Sequence, residues 1–165
     1  MSTTTKNPTP AAIPSAVLPR VIDEGHAADA WYGADILTAV TSVDADTAAR
    51  RPTAGRHNVG EIALHHAYWL REVRSRLTGA HDGPFVLEGE DWFEWDAASR
   101  LSWAEVKKTL TQEVRRLRDT VDAIEQGKQA SPLNAEARFD QVIGITGHAA
   151  YHAGQIQLVK ALIGA

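Results

Sequence analysis

Residues 58–79 read NVGEIALHHAYWLREVRSRLTG. Asn58 followed by Glu61 is a capping box, in which each side chain satisfies a backbone N–H that a helix start leaves unpaired. Val59, Ile62, Ala63, Trp69, Leu70, Val73 and Leu77 then recur at helical spacing and form an apolar stripe. Arg71, Glu72, Arg74 and Arg76 fill the opposite, solvated side. Gly79 stops the run. The pattern predicts a helix over about Val59–Leu77 with two histidines, His65 and His66, in its middle. Adjacent residues diverge by about a quarter turn or more, so at most one of them faces a given neighbour. Period counting places His66 nearer the centre of the stripe and His65 on its flank.

Three further segments carry helical signals. About Pro19 to Val43 opens with a proline suited to a first turn and places Ile22, His26, Gly33, Ile36, Leu37 and Val40 near one stripe, with Trp31 as a large anchor. His26 has two readings, a residue lining a site and, the one preferred, a partly exposed or core-edge histidine. Ser102 with Glu105 is a second capping box, and it starts the clearest amphipathic run of the chain, Trp103–Glu125, which stops at Gly127. Its Arg115, Arg116 and Arg118 lie beside Glu113 and Asp119 and read as a solvated face. The last helix spans about Phe139–Leu162. Val142, Ile145, Ala149, His152, Ile156, Val159 and Ile163 share its stripe, with His148 on the edge.

The connections are irregular. Asp44–Arg50 is consistent with a short helical turn, and Pro52 and Gly55 mark a loop. Residues 79–100 hold Gly83-Pro84 and Gly89, with Trp92, Phe93 and Trp95 crowded together. Such aromatics cap a core or wall a pocket. His81 is a polar loop residue. The expected fold is therefore all-α: a four-helix bundle with a long crossover-type connection between its second and third helices. Residues 1–18 read as a poorly ordered tail rich in Thr, Pro and Ala, and residues 19–165 as the domain.

Composition limits the function. The 165 residues carry a net charge of −4 with both signs interspersed. That gives no electrostatic footprint for nucleic acid or for an anionic membrane. No apolar run reaches membrane-spanning length. There is no cysteine, which removes disulfides, thiolate ligands and a protein thiol nucleophile together and fits a cytoplasmic location. A metal site must then use nitrogen and oxygen ligands. In GITGHAAYHAGQI (144–156) His148 and His152 stand at i and i+4, one above the other on one helix face, where two imidazoles can share an ion. A histidine on the second helix would face them.

Longer stretches resemble a known family. GRHNVGEIALHHAYWLREVRSRLTG (55–79) resembles the second helix of DinB/YfiT-like proteins, and HAAYHAGQI (148–156) resembles their fourth-helix signature. AWYGADILTAV (30–40) and VDADTAARRPTAGRHN (43–58) are similar to the first helix and linker. The likeness runs from about Asp29 to Leu162, with the middle third similar only in character. It implies a four-helix bundle of uncommon connection order, holding a divalent metal on three histidines. The motif register assigns the ligands as His65, His148 and His152, which departs from the period count at His66. Gln155 and Tyr151 match residues that commonly stand beside the ligands, and His57 matches one at the helix start, where a capping role is equally open.

A three-histidine site without a carboxylate leaves a dipositive ion with open positions. Zinc and nickel are the first candidates; iron and manganese also accept nitrogen ligands, so ligand type does not decide. Some relatives resemble thiol S-transferases. The expected function is a metal-dependent enzyme acting on a small-molecule substrate, foremost a thiol S-transferase that activates a low-molecular-weight thiol, with Trp92 helping to wall the pocket. The alternatives are a metal-dependent hydrolase, for which no particular carboxylate stands out as general base (Glu61 sits one turn before His65, with its direction open), and a non-catalytic metal-binding bundle acting through dimer or partner contacts. A homodimer is expected from the family.

Overall fold

The computed structural model describes residues 17–26 and 30–165, and those residues form helices and loops with no strand among them. The helices are α1 (Val17–His26), α2 (Ile36–Thr41), α3 (Ala45–Ala49), α4 (Val59–Thr78), α5 (Trp103–Glu125) and α6 (Ala135–Ile163). Both expected capping boxes are formed. Asn58 Oδ1 accepts from the Glu61 N–H at 2.8 Å, and Glu61 accepts from the Asn58 N–H at 3.4 Å. At α5 the Ser102 N–H donates to Glu105 at 2.8 Å. Gly79 closes α4 with φ 71°, a left-handed conformation that glycine adopts without a Cβ penalty. The start of α6 is four residues earlier than periodicity indicates, because Asn134 caps it through the Ala137 N–H.

The expected first helix is broken. α1 ends at His26, and the chain resumes as α2 only after a turn in which the Gly33 N–H donates to Ala30 O with φ 123° at Gly33. Asp35 then accepts from the N–H groups of Leu37 and Thr38 and starts the new helix. A side-chain cap of this kind competes with continuation of the helix before it. The break also overturns the role expected of Trp31: it lies on the turn and is 92% exposed, so it anchors nothing in the core of this chain. The helix begins two residues before Pro19, and Leu18 is buried beside Leu77, Val121, Ile124 and Val142. The tail expected over 1–18 otherwise lies outside the described residues.

α1 packs on α5 and α6, and α4 packs on α5 and α6, which makes a four-membered ring of long elements with α2 extending α1. Contacts along the helices fix their directions. Gln141, near the start of α6, meets Arg76, near the end of α4, so those two helices run antiparallel. Arg138 at the start of α6 meets Glu125 at the end of α5. α4 and α5, by contrast, start at the same end of the bundle. The Trp95 ring lies on Gly60 in the first turn of α4, and 5.5 Å from the ring of Trp103 in the first turn of α5. The segment 79–102 is therefore a crossover that carries the chain back along the length of α4. Phe93 and Trp95 are buried by it, with Phe93 against Tyr68 and Phe85. Asn58 ties the crossover down, donating from Nδ2 to Trp95 O at 2.8 Å.

Gly60 allows this contact. A Cβ there would stand 2.0 Å from the Trp95 ring, which has no room to retreat in the core. Gly→Ala inside a helix ordinarily stabilises by about 1 kcal/mol. Gly60→Ala is expected to do the reverse and to destabilise by about 1–3 kcal/mol, the range for overpacked cores. Urea unfolding monitored by circular dichroism reads the sign directly.

Candidate metal centre

The antiparallel packing of α4 and α6 brings His65 opposite His148 and His152. One ring nitrogen from each of the three lies within 4.8 Å of the others, an arrangement positioned to hold a metal ion. His148 and His152 approach each other most closely, with their Nε2 atoms 2.9 Å apart. Their i,i+4 spacing on one helix produces this, and their ring planes stand at 89°.

Each ring is held from behind. His65 Nδ1–H donates to the backbone carbonyl of Asp91 in the crossover at 2.7 Å, so its Nε2 carries a lone pair. His152 Nδ1–H donates to Gln155 Oε1 at 2.6 Å, which leaves its Nε2 bare as well. Gln155 Nε2 in turn donates to Tyr151 Oη at 3.2 Å, on the exposed side of α6. Gln155 thus orients a ligand nitrogen. Trp92 lies flat against His65 with centroids 3.9 Å apart, and His57 lies on its other face at 3.6 Å. The crossover therefore supplies both the hydrogen bond and the stacking surface that fix the His65 ring.

Period counting and motif register, which disagreed over His65 and His66, answer different questions. His66 is the more deeply buried of the two and points into the core, as the count indicates. It reaches the back of the site instead of its mouth: His66 Nδ1 is 2.9 Å from His148 Nδ1, and its Nε2 is 2.9 Å from Nε2 of His26. His26 is fully buried, not at the core edge, and its Nδ1 is 2.8 Å from Ile22 O. Glu61 is turned away from the triad. Its carboxylate is buried between Arg51, His57 and the backbone of Asn58, so it is committed to structure and does not face the open side of the triad. His57 shares that carboxylate at 3.0 Å, so it serves the helix start and the Trp92 stack.

Burial sets the charge state of these rings. Loss of water lowers His65 below the usual imidazole range and pushes His66 well below it. The same desolvation takes His26 to about 4, His152 to about 4 and His148 to about 3, with neighbouring imidazoles adding to the effect at His148 and His152. All five are neutral at neutral pH. Lone pairs of His65 and His152 converge with the His148 ring in a half-buried space, an arrangement that can hold a cation. Neutral imidazoles with no carboxylate among them fit a divalent metal ion, with coordination positions left open.

A cavity of about 460 Å³ adjoins the triad. His65 and His148 form part of its wall; Trp69, Val73 and Ile145 make it apolar; Asp91 borders it, with one carboxylate oxygen 4.0 Å from His65 Nδ1. It continues to Arg76, eleven residues and roughly 16 Å further along α4. Asp91, Trp69 and His26 were not identified as site residues from the sequence. Asp91 sits in an aperiodic loop, where nothing in the chain signals that its carbonyl meets a helix twenty-six residues away. Trp92, expected to wall this cavity, instead backs the His65 ring and borders a separate surface hollow with Leu87 and Arg100.

The buried neutral histidines make the metal-free protein acid-labile. His26 has a folded pKa of about 4 against 6.5 in a free chain. Its contribution is intact above pH 6.5 and erodes as the pH falls toward 4, because only the unfolded chain takes up the proton, at about 1.4 kcal/mol per pH unit. Between pH 6.5 and 5, His26 alone should remove about 2 kcal/mol of unfolding free energy, with the other buried rings adding to it. Urea titrations in chelator should show that loss in the wild-type chain and a shallower one in His26→Gln.

A family model of the DinB superfamily matches residues 29–156, which hold α2 to α5 and most of α6, with all three histidines of the triad. No curated protein and no solved structure gives a match. The all-helical bundle, the crossover between its parallel helices and the histidine triad accompany a sequence match over most of the chain, and the protein belongs to the DinB superfamily.

Proposed function

We propose that this protein is a divalent-metal-dependent thiol S-transferase, joining a low-molecular-weight thiol to an electrophilic small molecule. The observation that supports this most is the donor set and its surroundings: three neutral imidazoles, no carboxylate ligand, and an open side that faces an apolar-walled cavity. A divalent ion held by His65, His148 and His152 supplies Lewis acidity that favours the deprotonated form of a thiol. The chain has no cysteine, so the thiol is a co-substrate. Trp69, Val73 and Ile145 exclude water from the electrophile and hold it against the thiolate. The Asp91 carboxylate, at the cavity wall, takes the thiol proton and passes it to solvent. The sulfur attacks the electrophilic carbon, and the leaving group departs with the bonding pair. Zinc or nickel suits the nitrogen donors.

A hydrolase is the second reading, and Asp91 is what favours it. The same carboxylate serves as general base for a water in place of a thiol. Conjugation assays with model electrophiles and several thiols, with zinc, with nickel and after chelation, separate the two. S-transfer predicts product formation that needs both thiol and metal, and that Asp91→Asn slows with metal content unchanged. Metal-dependent consumption of esters or amides without thiol would favour the hydrolase, and no turnover at full metal occupancy would sink both.

The reading includes a homodimer in the cytoplasm. No helix among the described residues is long and apolar enough to cross a membrane. From Gln141 to Val159 the chain of α6 has no charged side chain, yet it exposes Ile143, Tyr151 and Leu158, with Leu162 just beyond. A helix apolar on its outer side is expected to be covered. Sedimentation of the wild-type chain should give a dimer mass, and Leu158→Glu a monomer; a wild-type monomer at tens of micromolar removes the dimer from the proposal.

A further inference from the structure

Behind the triad lies a row of imidazoles that ends on one of its members. It runs from Ile22 O in α1 through His26, across to His66 in α4, and on to His148 in α6, with contacts of 2.8, 2.9 and 2.9 Å. His26 and His66 are both fully buried, so no water supplies a missing partner. Three neutral imidazoles bring three ring hydrogens to three contacts, and their placement can be worked out in order. A carbonyl oxygen only accepts, so His26 Nδ1–H donates to Ile22 O. His26 Nε2 is then bare and accepts from His66 Nε2–H. His66 Nδ1 is bare in turn and accepts from His148 Nδ1–H. No hydrogen remains for His148 Nε2, whose lone pair meets that of His152 Nε2 at 2.9 Å, in the part-buried space where a cation or a water can come between them. The opposite order places a lone pair of His26 against the lone pairs of Ile22 O at 2.8 Å in a dry interior.

We propose that His26 and His66 are positioning residues for the metal centre: starting from the carbonyl of Ile22, they fix the tautomer and ring angle of His148 so that its Nε2 is always free to bind the ion. The three ligands are then made alike by three different devices. His65 is set by the Asp91 carbonyl, His152 by Gln155, and His148 by a relay that begins on α1. The relay also explains the adjacent pair on α4. His65 faces the ion and His66 reaches behind the facing ligand, so both imidazoles serve one centre from two directions. The inference concerns the metal centre and holds whichever reaction the centre runs.

The test has two arms. In the metal-free wild-type chain, long-range ¹H–¹⁵N NMR reads each tautomer. The expected result is Nδ1–H at His26 and His148 and Nε2–H at His66; the reverse tautomer at His66 overturns the proposal, and this arm needs no variant. In the second arm, zinc affinity is measured by competition with a chromophoric chelator, with folding checked by circular dichroism. His26→Phe and His66→Phe should bind zinc about ten- to a hundredfold more weakly, the range for partners behind a metal ligand. His26→Gln, whose side-chain carbonyl can accept from His66, should recover most of the loss. His148→Ala is the control for the centre itself. Loss of zinc in His148→Ala with wild-type affinity in both folded Phe variants overturns the positioning role while leaving the centre intact. Retention of zinc in His148→Ala overturns the centre and the role together.

Discussion

A buried imidazole nitrogen must have a partner, and five imidazoles meet between α1, α4 and α6. Much of the architecture around them follows from this. His26 and His66 have both nitrogens engaged, while each ring of the triad has one nitrogen bonded outside the triad or further into the core, and the three nitrogens left over point to one place. A water-filled site would tolerate loose rings because solvent could satisfy them. Here desolvation holds the rings neutral and also makes an unpaired nitrogen expensive, so the partners decide the tautomers. The outcome is a set of lone pairs aimed at one position, which is what binding a cation from a neutral apo-protein requires.

The crossover is the second determinant. A minimal bundle could bring α4 and α6 together, but nothing would stand over the His65 ring. Residues 79–102 return along α4 and deliver the Asp91 carbonyl and the Trp92 ring to its two free sides. The crossover is held there by ordinary packing. Trp95 lies on the bare backbone at Gly60, Phe93 lies in an aromatic group with Tyr68 and Phe85, and the cap residue Asn58 is bonded to the Trp95 carbonyl. The residue that starts α4 thus also anchors the segment that orients a histidine two turns later. Core-capping and site-building, which read as alternatives for the loop aromatics, are divided between neighbours: Phe93 and Trp95 do the first and Trp92 the second.

The chemistry open to the centre is narrowed by what surrounds it. Glu61, the carboxylate closest to His65 in the chain, is neutralised by Arg51 and turned away. The cavity is apolar near the triad and ends in polar groups at Arg76, so a bound molecule would present an apolar body to Trp69 and a polar end roughly 16 Å away. With no cysteine in the chain, the protein itself offers no thiol to that cavity.

The sequence by itself determined the helices that are long and periodic, with their caps: Asn58/Glu61, Ser102/Glu105 and Gly79 act within a few residues of one another, so their chemistry is local and legible. It also supplied the pairing of His148 with His152, since i,i+4 geometry needs no tertiary information. The break between α1 and α2 was missed because a hydrophobic stripe continues in register across it, although the Asp35 cap that starts α2 is visible in the chain. What only the tertiary structure decided is direction and depth. Periodicity gives the angle of a residue around its helix, not what the neighbouring helix places opposite. His65 and His66 therefore looked like competitors, and only the approach of α6 on one side and α1 on the other set one in the triad with His148 and His152 and the other between His148 and His26. The Asp91 carbonyl is the limiting case. Every residue has a carbonyl, so the group that orients His65 has no signature in the chain, and only the path of the crossover brings it there.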